Sequence, residues 1–277
     1  DGILLRPFKK LGAKVLGIEP ASKIANVAEK AGIPTLPEFF SKKLARRIIR
    51  EYGKAKIVTA TNVFAHIDAL DEVIEGLNIL LNREGIFIME APYLVDFLKK
   101  RYFDLVYHEH LSYWAVAPLI TLFKRFDMTV FDVQKVAAHG GSIRVFVKKA
   151  VARYKIEERV KEFLSQEKKR KLGEVATYLS FANGVLGNKV KLLTLLARLK
   201  ARGHHIAAYG APAKGNTLLN FFGIGTEILD YVVDDSPWKQ GLFTPGKRIP
   251  VISSKTLYST KPDYLLILAW NFADSIM

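Results

Sequence analysis

The feature that most constrains this chain is a change of hydrophobic period that repeats along its length. Short apolar runs of strand length alternate with stretches whose apolar residues recur every three to four positions. Strands are expected at residues 13–18, 57–61 and 85–90. Helices are expected at 22–31, 38–52 and 71–81, with Gly32 and Gly53 stopping the first two. Strands alternating with helices are buried when the helices cover both faces of a largely parallel sheet. The expected fold is therefore α/β, a doubly wound sheet with right-handed crossovers.

After residue 92 the pattern changes. Residues 93–113 mix aromatic and ionisable side chains without a period. A helix is expected at 119–126. Two strands follow at 130–136 and 142–147, close enough in sequence to make an antiparallel edge. Residues 156–202 read as helical, broken near Leu172 and Gly173. A second α/β run has strands at 205–209, 228–233 and 264–269, a loop at 210–215 and a helix at 217–222. The chain is thus expected to divide into residues 1–150 and a smaller α/β unit at 151–277.

Of the 277 residues, 49% are hydrophobic and 25% charged, a globular rather than a disordered composition. Apolar runs fall short of the roughly 18 residues that span a bilayer, and no secretory leader is read. The expected location is cytoplasmic, with no membrane partner. With no cysteine, disulfides and thiolate zinc sites are excluded within the chain, and the six histidines show no metal-ligand spacing. The net charge of +15 favours anionic partners. The dense run of Lys42, Lys43, Arg46, Arg47 and Arg50 falls on one side of a helix, opposite Leu44, Ile48 and Ile49. That is the pattern of a solvated face. No aromatic-interleaved basic motif of the RNA-binding kind accompanies it.

Five segments carry chemistry. Glu19 closes the first expected strand, where a carboxylate can accept both ribose hydroxyls of a nucleoside, and Asp1-Gly2 precedes it at a turn. Asn62 and His66 follow the strand at 57–61, at the carboxyl edge where open α/β sheets bind ligands. Tyr107, His108, Glu109 and His110 concentrate proton-transfer groups in four residues. An extended backbone would pair His108 with His110, and a helical turn would pair Tyr107 with His110. After Gly140-Gly141, Ser142 and Arg144 alternate onto one face of a strand, where Arg144 suits a phosphate or a carboxylate. In the last third, Lys214 and Asn216 stand between a strand and a helix start, a setting that suits a diphosphate, and Lys239 lies on the loop after the next strand.

Taken together and in this order, the strings Asn62-Val63-Phe64-Ala65-His66, Tyr107-His108-Glu109-His110, His139-Gly140-Gly141-Ser142, Tyr209-Gly210-Ala211-Pro212-Ala213-Lys214-Gly215-Asn216-Thr217 and Ala269-Trp270-Asn271-Phe272 resemble the bacterial sugar C-methyltransferases that use S-adenosylmethionine. The resemblance runs over essentially the whole chain. It implies a class I methyltransferase sheet, Rossmann-like, with its first strand ahead of Asp1, followed by helices and a second nucleotide-binding-like sheet. It also implies an N-terminal cysteine-rich zinc domain that this sequence does not contain, so the chain is expected to be a piece of a longer enzyme.

By the same resemblance, a base removes a proton next to a ketone of a nucleotide diphosphate-linked sugar. The resulting enolate carbon then takes a methyl group. His110 is the expected base, with His108 as its rival, Tyr107 steadying the ketone oxygen and Glu109 orienting a histidine or a sugar hydroxyl. S-adenosylmethionine is expected at Asp1, Gly2, Glu19, Asn62 and His66. The sugar is expected at Ser142 and Arg144, and its nucleotide at Lys214, Asn216 and Lys239. The residues leave two other readings open. An NAD-dependent oxidoreductase or epimerase on nucleotide sugars would need a complete G-x-G-x-x-G before Glu19 and a Tyr-x-x-x-Lys pair. A non-catalytic basic module for nucleotides or RNA would show salt-dependent binding.

Overall fold

The computed structural model describes residues 1–277 apart from the side chain of His139, so that the histidine of the His-Gly-Gly-Ser turn lies outside the described residues. The chain runs α1 (Leu5–Lys10), β1 (Gly17–Ile18), α2 (Ser22–Lys30), β2 (Thr35–Leu36), α3 (Lys42–Tyr52), β3 (Ala55–Thr61), α4 (Leu70–Leu80), β4 (Leu81–Pro92) and α5 (Leu94–Lys100). It continues with a 3₁₀ turn at Phe103–Leu105, then α6 (Val116–Lys124), β5 (Met128–Val136), β6 (Ser142–Lys149), α7 (Glu158–Lys169) and α8 (Val175–Ala201). The last part holds β7 (Ile206–Tyr209), α9 (Ala213–Phe222), β8 (Val232–Val233), β9 (Val251–Ile252) and β10 (Tyr264–Ile267).

A four-stranded mixed sheet, ordered β3-β4-β6-β5, carries the first half. β3 and β4 are parallel, while β6 is antiparallel to both β4 and β5, which makes the antiparallel edge read from the sequence. One face presents Phe87, Met89 and Ala91 of β4 and Ile143, Val145 and Val147 of β6, all fully buried. They pack under Ile74 and Leu77 of α4, Leu119 and Phe123 of α6 and Phe163 of α7. Each such side chain contributes about 1.5–3 kcal/mol relative to exposure. Glu167 of α7, itself buried, accepts from Val116 N (2.6 Å), Ala117 N (2.9 Å) and the Tyr93 hydroxyl (3.0 Å). A remote carboxylate thus satisfies the first amides of α6.

The strand expected at 13–18 is reduced to Gly17–Ile18, and it pairs in parallel with β2 in a separate two-stranded sheet. β2 was not anticipated. The expected 38–52 helix starts at Lys42, because Ser41 is extended and its hydroxyl accepts the Leu44 amide (3.1 Å) as an N-cap. It ends at Gly53, whose φ of +82° suits a residue without a side chain. α3 buries Leu44, Ala45 and Ile48, and the same cluster gathers Leu16, Ile18 and Leu36 beside Ala55 and Val58. One helix therefore serves both sheets. β4 is twice the expected length. The helix expected at 217–222 starts at Ala213, just after Pro212, which as the N-cap needs no amide of its own.

β7 to β10 form a second sheet, ordered β10-β7-β8-β9 and parallel throughout. Its core joins Ile206, Ala208, Val232, Val251 and Leu268 to Leu219 and Phe222 of α9 and Leu196 and Leu199 of α8. α7 sits in the first core, so the chain passes between cores in the turn before α8. Phe103, in the middle of the aperiodic stretch, packs into the second core, stacked on Phe222 with ring centroids 4.8 Å apart.

Candidate active site

The carboxyl ends of β3 and β4 build the site. Asn62 follows β3, and its amide donates to the Glu90 carbonyl (2.8 Å). Its φ of +55° is left-handed, which asparagine tolerates. Its Oδ1 is buried and has no hydrogen-bond partner among the described residues. The next turn buries Phe64 in the core and leaves His66 exposed. The Ala65 carbonyl accepts the amides of Leu111 (2.8 Å) and Ser112 (3.3 Å). That bond pair ties the segment after His110 to the end of β3.

Residues 107–110 form a turn in which the His110 amide donates to the Tyr107 carbonyl (2.9 Å). Of the two backbone alternatives, the structure takes the turn, which brings Tyr107 and His110 together. His110 Nδ1 lies 2.8 Å from the Leu105 carbonyl oxygen. A carbonyl only accepts, so Nδ1 carries the proton and Nε2 carries the lone pair of the neutral ring. The Tyr107 hydroxyl is 3.3 Å from that Nε2, and the two rings lie 4.4 Å apart. Burial, with help from the charge on Glu109, pushes the Tyr107 hydroxyl above its ordinary value and keeps it a donor at neutral pH. The Tyr113 hydroxyl also donates to the Leu105 carbonyl (3.2 Å), and the His66 ring meets His110 edge-on at 4.9 Å. His110, Ala65, Pro92, Tyr113 and Trp114 help line a cavity of about 10 Å³, room for one water.

His108 and Glu109 do not join this group. They are the outward positions of the turn, with side chains 89% and 56% exposed, and they face each other at 4.0 Å. Ser142 is fully buried, and its hydroxyl donates to the Ala138 carbonyl (2.9 Å), closing its own turn. Arg144 stands opposite Glu90 across the β4–β6 ladder, and its Nε (3.1 Å) and Nη2 (2.7 Å) both donate to that carboxylate. The guanidinium expected on the sugar is therefore engaged by a nearly buried acid.

Of the residues expected on the cofactor, His66 lies beside His110, and Asn62 stands directly after β3. Of the others, Glu19 directly follows β1, and Asp1 and Gly2 precede α1. Glu19 accepts the Ala21 amide (2.9 Å) within its own turn. Asp1 is exposed and accepts the Ile3 amide (3.1 Å). Gly2 lies so close to Ile33 that a Cβ there would stand 2.9 Å from its Cγ1.

The three residues expected on the nucleotide each have a partner within the chain. Lys239 donates to Asp234 (3.1 Å), which also accepts the amides of Ala211 (2.7 Å) and Ser236 (2.9 Å). Burial would raise the Asp234 carboxyl, but those amides and Lys239 outweigh it and hold it below the ordinary range. The Asn216 side-chain amide donates to the Pro212 carbonyl (3.4 Å). Lys214 donates to Asn271 and lies 4.0 Å over the Trp270 ring.

Sequence reasoning missed Asp104. It is 3% exposed and accepts the Trp270 indole N–H at 2.6 Å. Burial pushes its carboxyl up, against the opposing pull of Trp270 and Lys214. Burial likewise lowers Lys214, against the pull of Asp104. Trp270 also stacks on Tyr102, with ring centroids 4.1 Å apart. A signal was present in the strings Ala269-Trp270-Asn271-Phe272 and Asp104, but 166 residues separate the partners.

Residues 137–277 match the family model described as the C-methyltransferase C-terminal domain. The chain is 37% identical over 276 residues to the C-methyltransferase NovU of Streptomyces niveus, an alignment that takes in 100% of this chain and 66% of that protein. The chain thus spans just under two thirds of the length of this relative. Among solved structures it is similar to an S-adenosylmethionine-dependent methyltransferase from Anabaena variabilis (18% identity, 49% of this chain and 68% of that one, TM-score 0.38). It is also similar to the magnesium protoporphyrin IX methyltransferase ChlM of Synechocystis, solved with bound S-adenosylhomocysteine (15% identity, 52% of this chain and 67% of that one, TM-score 0.40). On the family model and the identity over its whole length, this chain belongs to the C-methyltransferase family.

Proposed function

We propose that this chain is the larger part of an S-adenosylmethionine-dependent enzyme that methylates a carbon beside the ketone of a nucleotide diphosphate-linked sugar. The observation that carries the reading is His110, whose Nδ1–H is bonded to the Leu105 carbonyl while the basic Nε2 stands at the Tyr107 hydroxyl. Family membership supplies the reaction class.

His110 Nε2 takes the proton from the acceptor carbon. A neutral imidazole is suited to that transfer at neutral pH. The Tyr107 hydroxyl swings from Nε2 to the ketone oxygen and donates to it as negative charge develops there. Holding acceptor carbon and methyl donor in line supplies much of the remaining acceleration. The buried Asn62 Oδ1, without a hydrogen-bond partner among the described residues, suits the ammonium of the cofactor's amino acid end, with His66 and Glu19 as further contacts. Bound there, S-adenosylmethionine supplies an electrophilic methyl group. The amides at the start of α9, with Lys214, Asn216 and Lys239, receive the nucleotide diphosphate, and both lysines exchange their present partners for phosphate. We place the boundary between the methyltransferase unit and the nucleotide-binding unit in the turn between α7 and α8, later than the residue 150 read from the sequence, because α7 packs in the first core, and we take the protein to be cytoplasmic.

The test is calorimetric titration of the full-length protein with S-adenosylhomocysteine and then with a nucleotide keto-sugar, followed by mass spectrometry of the turnover product. A gain of one CH₂ on a sugar carbon is the expected result. Absence of S-adenosylhomocysteine binding, or a methyl group found on nitrogen or oxygen, would overturn it.

A further inference from the structure

The segment 102–105 belongs to the first half of the chain by sequence but is gripped by the second sheet and its helix. Phe103 is stacked on Phe222 of α9. Asp104 is buried and accepts the Trp270 indole N–H. Tyr102 lies flat on the Trp270 ring, 22° from parallel. The next residue, Leu105, presents the carbonyl that receives both His110 Nδ1–H and the Tyr113 hydroxyl.

A peptide carbonyl fixes an imidazole only if the carbonyl is itself fixed. Alone, a 3₁₀ turn of three residues is weak, because its hydrogen bonds are few and poorly aligned. Its rigidity here comes from the second sheet. A charge-assisted bond from an indole to a buried carboxylate is among the stronger hydrogen bonds a protein makes, and Asp104 is buried, so losing that bond is costly.

We propose that Asp104 and Trp270 are positioning residues for the base. By locking residues 102–105, they hold the Leu105 carbonyl where it selects the Nε2 lone pair of His110. The second half of the chain thereby contributes to proton abstraction without touching the reacting atoms. This rests on the reading of His110 as the base.

The test pairs kinetics with ¹⁵N NMR of histidine-labelled protein. Trp270→Phe keeps the ring on Tyr102 and under Lys214 but removes the N–H donor. In the full-length enzyme it should lower kcat about tenfold, the scale of one charged hydrogen bond, with KM for both substrates changed by less than about twofold. In this chain the His110 spectrum should move from a single Nδ1–H tautomer toward a mixture of tautomers. Asp104→Asn keeps an acceptor for the indole and should retain most of kcat, whereas Asp104→Ala should behave as Trp270→Phe does. A Trp270→Phe protein that is folded, keeps the pure Nδ1–H tautomer and turns over normally would overturn the proposal. If His110→Ala leaves turnover intact, the base assignment fails as well. If His110→Ala abolishes turnover while the tautomer and kcat of Trp270→Phe stay unchanged, the positioning role alone falls.

Discussion

His110 Nδ1 and the Leu105 carbonyl stand 2.8 Å apart, a bond that turns the Nε2 lone pair toward the Tyr107 hydroxyl. His108, two residues earlier, is solvent-exposed and has no such carbonyl partner among the described residues. His110→Ala should therefore lower methyl transfer by about 10²-fold or more in the full-length enzyme, and His108→Ala by no more than about twofold. Steady-state rates of the two variants side by side decide between the histidines. Equal losses would return His108 to candidacy.

Arg144 answers Glu90 across adjacent strands, and Glu90 is far more buried than its partner. Removing the guanidinium leaves a carboxylate in an apolar setting. Arg144→Met should cost about 1–3 kcal/mol of stability, less than a fully buried pair because the arginine is partly solvated. Glu90→Gln in the same background should recover part of that loss. Urea unfolding of the single and double variants measures the coupling.

Glu167→Ala would strand three donors at once, the Tyr93 hydroxyl and the amides of Val116 and Ala117. A loss of about 3 kcal/mol is expected, with Glu167→Gln near 1 kcal/mol because its carbonyl still accepts. Tyr93 is pushed up by burial and by Glu167. A folded value above the unfolded one near 10 means that stability from this group is intact below pH 10 and declines as pH rises beyond it. Thermal melts from pH 8 to 11 should show a smaller decline in Tyr93→Phe than in the parent.

Acid should act in the opposite sense through Asp132 and Asp234. Burial would raise the Asp132 carboxyl, but Arg159, the Val133 amide and Gln134 together hold it below the ordinary range. A folded value below the unfolded one near 4 gives stability that is present above pH 4 and is lost as pH falls through the folded value. Asp132→Asn should therefore melt at a temperature that changes less between pH 5 and 3 than the parent's.

How much of this was legible depended on length. α3 and the β5–β6 pair span many residues, so their periods stand out, and the basic stripe of α3 could be assigned to solvent from spacing alone. β1, β2, β8 and β9 are two residues each, too short to show an alternation. The Tyr107–His110 pairing was one of two backbone options, and only the turn hydrogen bond chose between them. Ser142 and Arg144 alternate as expected on a strand, but alternation does not say whether a face looks at a ligand or at Glu90. Lys214, Asn216 and Lys239 sit where a phosphate would suit them, yet local periodicity cannot reveal that neighbours already satisfy them. Asp104 and Trp270 meet only because the tertiary fold closes.

The stacking of Phe103 on Phe222 has an evolutionary consequence. A gene cut or recombined in the turn before α8 would divide the two cores on paper yet tear an aromatic ring from its seat. The first half would be left with a greasy protrusion two residues before Leu105, and the second with a hollow in its wall. Lineages that exchange the distal half must therefore inherit or reinvent the matching residue near position 103, so the two halves should be passed on together.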